Sequence, residues 1–288
     1  MNLNKLYEDG KLLGVFDLTQ EEYRNAPGIS RSDLMYMDKT PAHYKYYKDN
    51  PKEPTDAMIR GTAVHTLILE PETFGDFFAV MPKDISRKGT KAYKEWIEVN
   101  GYENHEILNQ KTWNEILGMR KAVDSNTRAK LYLGGYHEKS FFWIDKETGI
   151  LCKCRPDSIH LKTGIISDLK TCDDASPEEF IKKCYNMAYH IQNAFYVDGV
   201  IEAVKQGGNN GIEFKEPDAF MFVAIEKDAP HCIAYYDLPP AFIDEGRRLY
   251  KMYLNRYKKA CEENTWNGYE NKIMTLSEKS WMYKKVER

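Results

Sequence analysis

The chain has 288 residues, 42% of them hydrophobic and 30% charged, enough apolar matter for one large α/β domain or two small ones. No stretch approaches the roughly 20 apolar residues of a membrane helix. The first 16 residues lack the basic start, long apolar run and small-residue cleavage site of a secretory signal, so a cytoplasmic protein with no membrane partner is expected. A net charge of −3 gives the whole molecule no field for a polyanion, and any such attraction must be confined to one face or channel.

Ser30-Arg31-Ser32-Asp33 has the spacing of a capping box, with Asp in place of Glu or Gln, and should open a short helix after the Ala26-Pro27-Gly28 turn. Thr40-Pro41 opens another, with Thr as N-cap and Pro in the first helical position. Between 57 and 70, Ile59, Ala63 and Leu67 recur with Val64 and Ile68 at helical spacing until Pro71 ends the run. Helices are also predicted over 90–99 and 112–125. The period then becomes that of strands over 136–143, 150–160 and 165–171, with turns at 145–149 and 162–164. Ser176-Pro177-Glu178-Glu179 has the form of a complete capping box. The helical stretch it opens reaches 204, stops at Gly207-Gly208 and breaks near Asn186. Two strands, 219–226 and 231–237, turn around Asp228-Ala229-Pro230, and a long helix covers 240–263. This order predicts an α/β (or α+β) domain with a mixed central sheet flanked by helices. Residues 1–130 would be a helical elaboration, 131–240 the core, and 241–288 a C-terminal helix and tail.

The strand turns converge acids. If Leu161 pairs with Gly164, Asp157 faces Asp168; a three-residue loop would move this by one position. If Trp143 or Ile144 closes the preceding hairpin, Asp157 lies beside His137 or Glu138. Lys170, two residues past Asp168, projects from the same strand face. Carboxylates brought together repel and need a cation, and hard oxygen ligands suit Mg²⁺ or Mn²⁺. A lysine beside such a site can hold or deprotonate water and stabilise charge building on a phosphate. Pro156 cannot donate to a ladder, which implies an edge or a bulge that re-aims Asp157. The other reading is a cluster of alternating charges on a solvated strand face.

Gly149-Ile-Leu-Cys-Lys-Cys-Arg-Pro-Asp157, then Ile166-Ser-Asp168-Leu-Lys170-Thr171, then Gln192-Asn-Ala-Phe-Tyr196 resembles the three-part signature of the PDDEXK nuclease superfamily. The likeness is to its RecB-like branch, and within it to the RecE exonucleases (exonuclease VIII), kin in function to phage lambda exonuclease. It includes Pro27-Gly28-Ile29-Ser30, Pro41-Ala42-His43-Tyr44, Gly61-Thr62-Ala63-Val64-His65, Phe141-Phe142-Trp143 and Trp266-Asn267-Gly268-Tyr269. The resemblance implies a PDDEXK core in which Asp157 and Asp168 bind metal and Lys170 acts on the water. Leu169 stands where Glu is common, leaving only its backbone carbonyl as a ligand. His65 corresponds to a helical metal ligand, with Gly61 one turn earlier allowing close backbone approach. Glu138 corresponds to an upstream acid. Gln192 and Tyr196 form the Q-x-x-x-Y motif, sharing a helix face with Tyr189 that would orient Lys170 and touch the DNA backbone.

What the resemblance implies as activity is Mg²⁺-dependent 5′→3′ digestion of double-stranded DNA ends, leaving 3′ single-stranded tails for phage-type recombination. It also implies a ring-shaped homo-oligomer and a single-strand annealing partner. A structure-specific or single-strand endonuclease, or a non-catalytic end-binding module, remain alternatives. Ser30, Arg31 and Ser32 at a helix start are candidates for gripping a 5′ phosphate. Arg87 and Lys88, in the basic stretch from Lys83 to Lys94, are either a solvated helix flank or a DNA-contacting arm. The six cysteines, Cys152, Cys154, Cys172, Cys184, Cys232 and Cys261, include no run of closely spaced late cysteines. They are read as buried free thiols, with no iron–sulfur cluster expected.

Overall fold

In the computed structural model, residues 2–160, 163–212 and 215–277 are described. Leu161 and Lys162, on which the turn register was argued, and residues 278–288 of the expected tail lie outside them. Helices are α1 (Leu3–Glu8), α2 (Gln20–Asn25), α3 (Arg31–Lys39), α4 (Pro41–Asp49), α5 (Asp56–Leu69), α6 (Phe74–Phe77), α7 (Lys91–Asn100), α8 (Gln110–Ser125), α9 (Thr127–Tyr132), α10 (Pro177–Asn186), α11 (Tyr189–Gly207) and α12 (Pro240–Glu262). Strands are β1 (Gly14–Phe16), β2 (Phe78–Val80), β3 (Glu106–Leu108), β4 (Tyr136–His137), β5 (Ser140–Ile144), β6 (Leu151–Cys154), β7 (Ser158–His160), β8 (Ile165–Cys172), β9 (Ala219–Glu226) and β10 (Ile233–Tyr236). No helix among the described residues is long and apolar enough to cross a membrane.

The predicted strands 136–143 and 150–160 each break in two. Glu138 takes a left-handed backbone at φ 52°, and Pro156 cannot extend a ladder, so β4 and β7 leave β5 and β6 for another sheet. The result is a five-stranded mixed sheet in the order β10-β9-β8-β7-β4, in which only β8 and β9 run parallel. An antiparallel sheet β1-β5-β6 lies beside it. Residues 1–130 are thus not purely helical: β1 completes that second sheet, and β2 and β3 form a parallel pair.

Strand alternation sorts β8 between two layers. Ile166 and Cys172, with Phe220 and Phe222 of β9, belong to the main core under α11, which crosses both sheets. Leu169 packs with Val223 and Ile225 against α5 and α8 on the other side. The close approach of α11 to β5 requires Gly199, because a Cβ there would lie 2.3 Å from the Trp143 ring. The α11–α12 approach requires Gly246, whose Cβ would fall 2.2 Å from the His190 carbonyl oxygen.

Ser30 and Asp33 close the predicted capping box, worth about 1 kcal/mol in similar helices. Ser176 does not: its side chain makes no cap bond, and α10 starts on Pro177 alone. The N-terminal segment is fastened by Lys153, whose buried ammonium donates to the carbonyls of Tyr23 (2.8 Å), Arg24 (3.3 Å) and Ala26 (2.6 Å) at the end of α2. Four of the six cysteines are buried as expected, whereas Cys232 and Cys261 are exposed.

Candidate active site

The break between β6 and β7 places Asp157 just ahead of β7. Both turn registers hold: Ser158 pairs with Ser167 and His137 with Ser158, which carries Asp157 opposite Asp168 and beside Glu138. The Glu138 N–H donates to the Asp157 carbonyl at 3.3 Å. Asp157 Oδ2 accepts the Leu169 N–H at 2.7 Å and lies 3.3 Å from His65 Nδ1 on α5. One ligand atom each from His65, Glu138 and Asp157 lies within 4.8 Å of the others. Three residues distant in sequence thereby form one acidic pocket.

Asp168 is the buried half of the site, 2% exposed, and is held from within. Gln192 Nε2 donates to Asp168 Oδ1, and Lys170 Nζ donates to Gln192 Oε1 at 3.1 Å. Lys170 Nζ is also 2.5 Å from Asp168 Oδ2, so the ammonium bridges the carboxylate and the Gln192 amide. A histidine and three carboxylates are a donor set that fits a divalent ion of the Mg²⁺ or Mn²⁺ type. The N–H and C=O of an extended residue project to the same side, so the Leu169 carbonyl opens toward Asp157, while its side chain is buried in the α5–α8 layer.

The charges are mutually dependent. Burial works against a protonated His65, but Asp157 and then Asp168 outweigh it and push its pKa up to about 9. Burial and then the Asp157 charge push Glu138 up to about 8 and Asp168 up to about 6. Asp157 is buried too, yet His65 and Lys170 hold it below the usual carboxylate range. For Lys170, burial is outweighed by Asp168, so the ammonium keeps its proton more firmly than a free lysine.

A family model described as PDDEXK-like domain of unknown function (DUF3799) matches residues 30–279. The chain belongs to that family. A crystal structure from Eubacterium rectale, of a protein described as "Putative exonuclease", is similar in fold to this PDDEXK-like chain, with a TM-score of 0.58 at 15% identity. The match covers 92% of this chain and 97% of that one. No curated protein matches the sequence.

Within this PDDEXK-like fold the residues expected at the site divide unevenly. His65, Glu138, Asp157, Asp168, Leu169, Lys170 and Gln192 meet. Tyr196 stands at their edge, its hydroxyl pKa raised by burial and by the nearby Cys154 and Asp168. Tyr189 does not face a ligand: it is 6% exposed, stacked on Phe222 and lying under the Lys170 ammonium at 4.5 Å from the ring centre. Its ring backs the lysine and is almost wholly covered by the protein, against the expectation of a DNA contact. The reason given for Gly61 also fails, since a Cβ there would meet nothing within 4 Å. Arg31 is neither free nor solvated: it donates to the carbonyls of Met187 and, at 3.0 Å, of Ala188, while its Nε is buried without a partner. Ser30 is taken up by its own cap with Asp33, and Ser32, Arg87 and Lys88 are exposed. Arg155 was missed by sequence reasoning; it contacts Glu138 Oε2 at 3.0 Å. Its signal was its place directly before Pro156-Asp157.

Proposed function

We propose that this chain is a nuclease dependent on a divalent metal, hydrolysing phosphodiesters of DNA. The observation that carries this is the junction, at one strand break, of the His65–Glu138–Asp157 pocket with the Asp168–Lys170–Gln192 chain. His65, Glu138, Asp157, Asp168 and the Leu169 carbonyl would hold Mg²⁺, or Mn²⁺ as a substitute that accepts the imidazole nitrogen more readily. When bound, such an ion lowers the pKa of water and neutralises charge on a phosphate. Lys170 keeps its proton beside Asp168, which suits it to orienting water and stabilising the developing charge rather than to acting as the base. Gln192 and Tyr189 fix its position from two sides.

The order of motifs shared with RecE exonucleases supports a finer reading. The enzyme would digest linear duplex from 5′ ends and leave 3′ tails for recombination in the cytoplasm of a bacterial or phage-infected cell. It would do so as a ring-shaped homo-oligomer with an annealing protein as partner. Linear duplex labelled at the 5′ or the 3′ end, incubated with Mg²⁺, tests this directly. Early release of the 5′ label with circular duplex left intact is the expected result. Cutting of circular DNA would make it an endonuclease, and absence of turnover with undiminished end binding would make it a binding module.

A further inference from the structure

The surface that α3 and α4 share has no part in the metal pocket. Residues 39–52 carry four lysines, Lys39, Lys45, Lys48 and Lys52, against one acid, Asp49, in a chain whose net charge is −3. Tyr36 and Tyr46 are exposed among them, with the half-buried Tyr47 between. Tyr36 on α3 stacks on Tyr47 of α4 with ring centres 4.5 Å apart, and Tyr46, 62% exposed, meets Tyr47 edge-on at 5.5 Å. Lys52 Nζ lies over the Tyr47 ring, 4.4 Å from its centre. Large aromatic rings left in water cost hydration free energy unless a partner covers them. Interleaved π-faces and cations are what unpaired bases and their phosphates fit, because every base has a face to stack.

α3 begins at Arg31, whose guanidinium donates to the Ala188 carbonyl at the α10–α11 junction, and Tyr36 follows five residues later, about 7.5 Å along the helix axis and about 140° around it. Lys48 ties α4 to the same helix start through Asp33 at 3.3 Å. Resting on the nuclease reading above, we propose that Tyr36, Tyr46 and Tyr47 with Lys48 and Lys52 form a stacking platform for single-stranded nucleic acid, on a face of the protein separate from the metal pocket. Asp33 and Asp49, paired with Lys48 and Lys45, temper its charge and make the rings the main source of affinity.

The test uses the full chain carrying Asp168→Asn to prevent turnover, with fluorescein-labelled oligothymidylates of 5 and 20 nucleotides and anisotropy as the readout. The parent should bind the longer strand more tightly. Tyr46→Ala with Tyr47→Ala should weaken 20-mer binding roughly tenfold or more, as loss of base stacking does, and remove most of the gain with length. Tyr46→Phe with Tyr47→Phe should retain it. Lys52→Ala should flatten the salt dependence. The proposal is overturned if the alanine pair binds like the parent, if the phenylalanine pair loses as much as the alanine pair, or if blunt duplex is affected equally. A change of oligomeric state in the alanine pair by sedimentation would also overturn it, assigning the face to a second copy of the chain. Because binding is read without turnover, an enzyme that cleaves nothing would sink the nuclease reading and leave this measurement standing.

Discussion

Asp157 and Asp168 face each other in register on adjoining strands, yet the protein treats them in opposite ways. Asp157 sits just ahead of β7, beside Glu138 and His65, with its pKa held below the usual carboxylate range. Asp168 sits in the middle of a long strand, buried, with Lys170 and Gln192 already on it and its pKa pushed up to about 6. One carboxylate is kept ionised by its neighbours, the other is kept in place by an internal cation.

Removing the internal half should have the largest effect. Asp168→Ala and Lys170→Ala are each expected to lower the hydrolysis rate by about a hundredfold to a thousandfold or more while DNA binding persists. Near-normal rates in both, or full activity in EDTA, would break the assignment. The open half is sharpened by pH. His65 at about 9 and Glu138 at about 8 hold protons at neutral pH without metal, so Mn²⁺ must displace them. Affinity should therefore climb from pH 6 to 9, with protons released in calorimetry. His65→Ala should weaken Mn²⁺ binding by at least the roughly tenfold to hundredfold that losing an outer partner costs, with the melting temperature nearly unchanged. A much lower melting temperature with unaltered affinity would make His65 a packing residue. The linkage sign is that of a raised pKa. The stability His65 contributes to the metal-free protein is complete below its unfolded value near 6.5 and is lost as pH rises through about 9. The metal-free chain should melt lower at pH 9 than at pH 7.

Two smaller effects probe what surrounds the pair. If the unpaired Arg31 Nε receives a terminal 5′ phosphate, 5′-phosphorylated duplex should be degraded roughly tenfold faster than 5′-hydroxyl duplex, and Arg31→Ala should erase the difference. Equal slowing of both substrates would move the grip to the exposed Arg87 and Lys88. Tyr189→Leu removes the ring under Lys170 and should lower kcat about twofold to thirtyfold with little change in KM, whereas Tyr189→Phe should keep the rate.

Much of this was readable because turns set register. Short turns determine which residues lie opposite, and both pairings, Asp157 with Asp168 and with Glu138, follow from them. The longer helices came from caps and periodicity, while the short α1, α2, α6 and α9 were not foreseen, and Ser176 misled, since a side chain can have the right spacing and still not turn inward. The sheet partition was not readable. Pro156 marked an edge or a bulge, but nothing local shows that the chain changes sheets there and at Glu138, and that change goes with β1, more than a hundred residues away in sequence, pairing with β5. Tyr189 was misplaced for a similar reason: helical spacing puts it on the face of Gln192 and Tyr196, but only the tertiary packing of Phe222 decides that this face is closed at its N-terminal end.

The ammonium of Lys153 gives the molecule a means of timing its own opening. Burial pushes its pKa down to about 8, and three carbonyls from the end of α2 enclose it. An amine-directed reagent can reach it only when residues 23–26 lift away. Its modification rate, read by mass spectrometry against that of the exposed Lys52, is therefore a clock for detachment of the N-terminal segment that needs neither substrate nor metal.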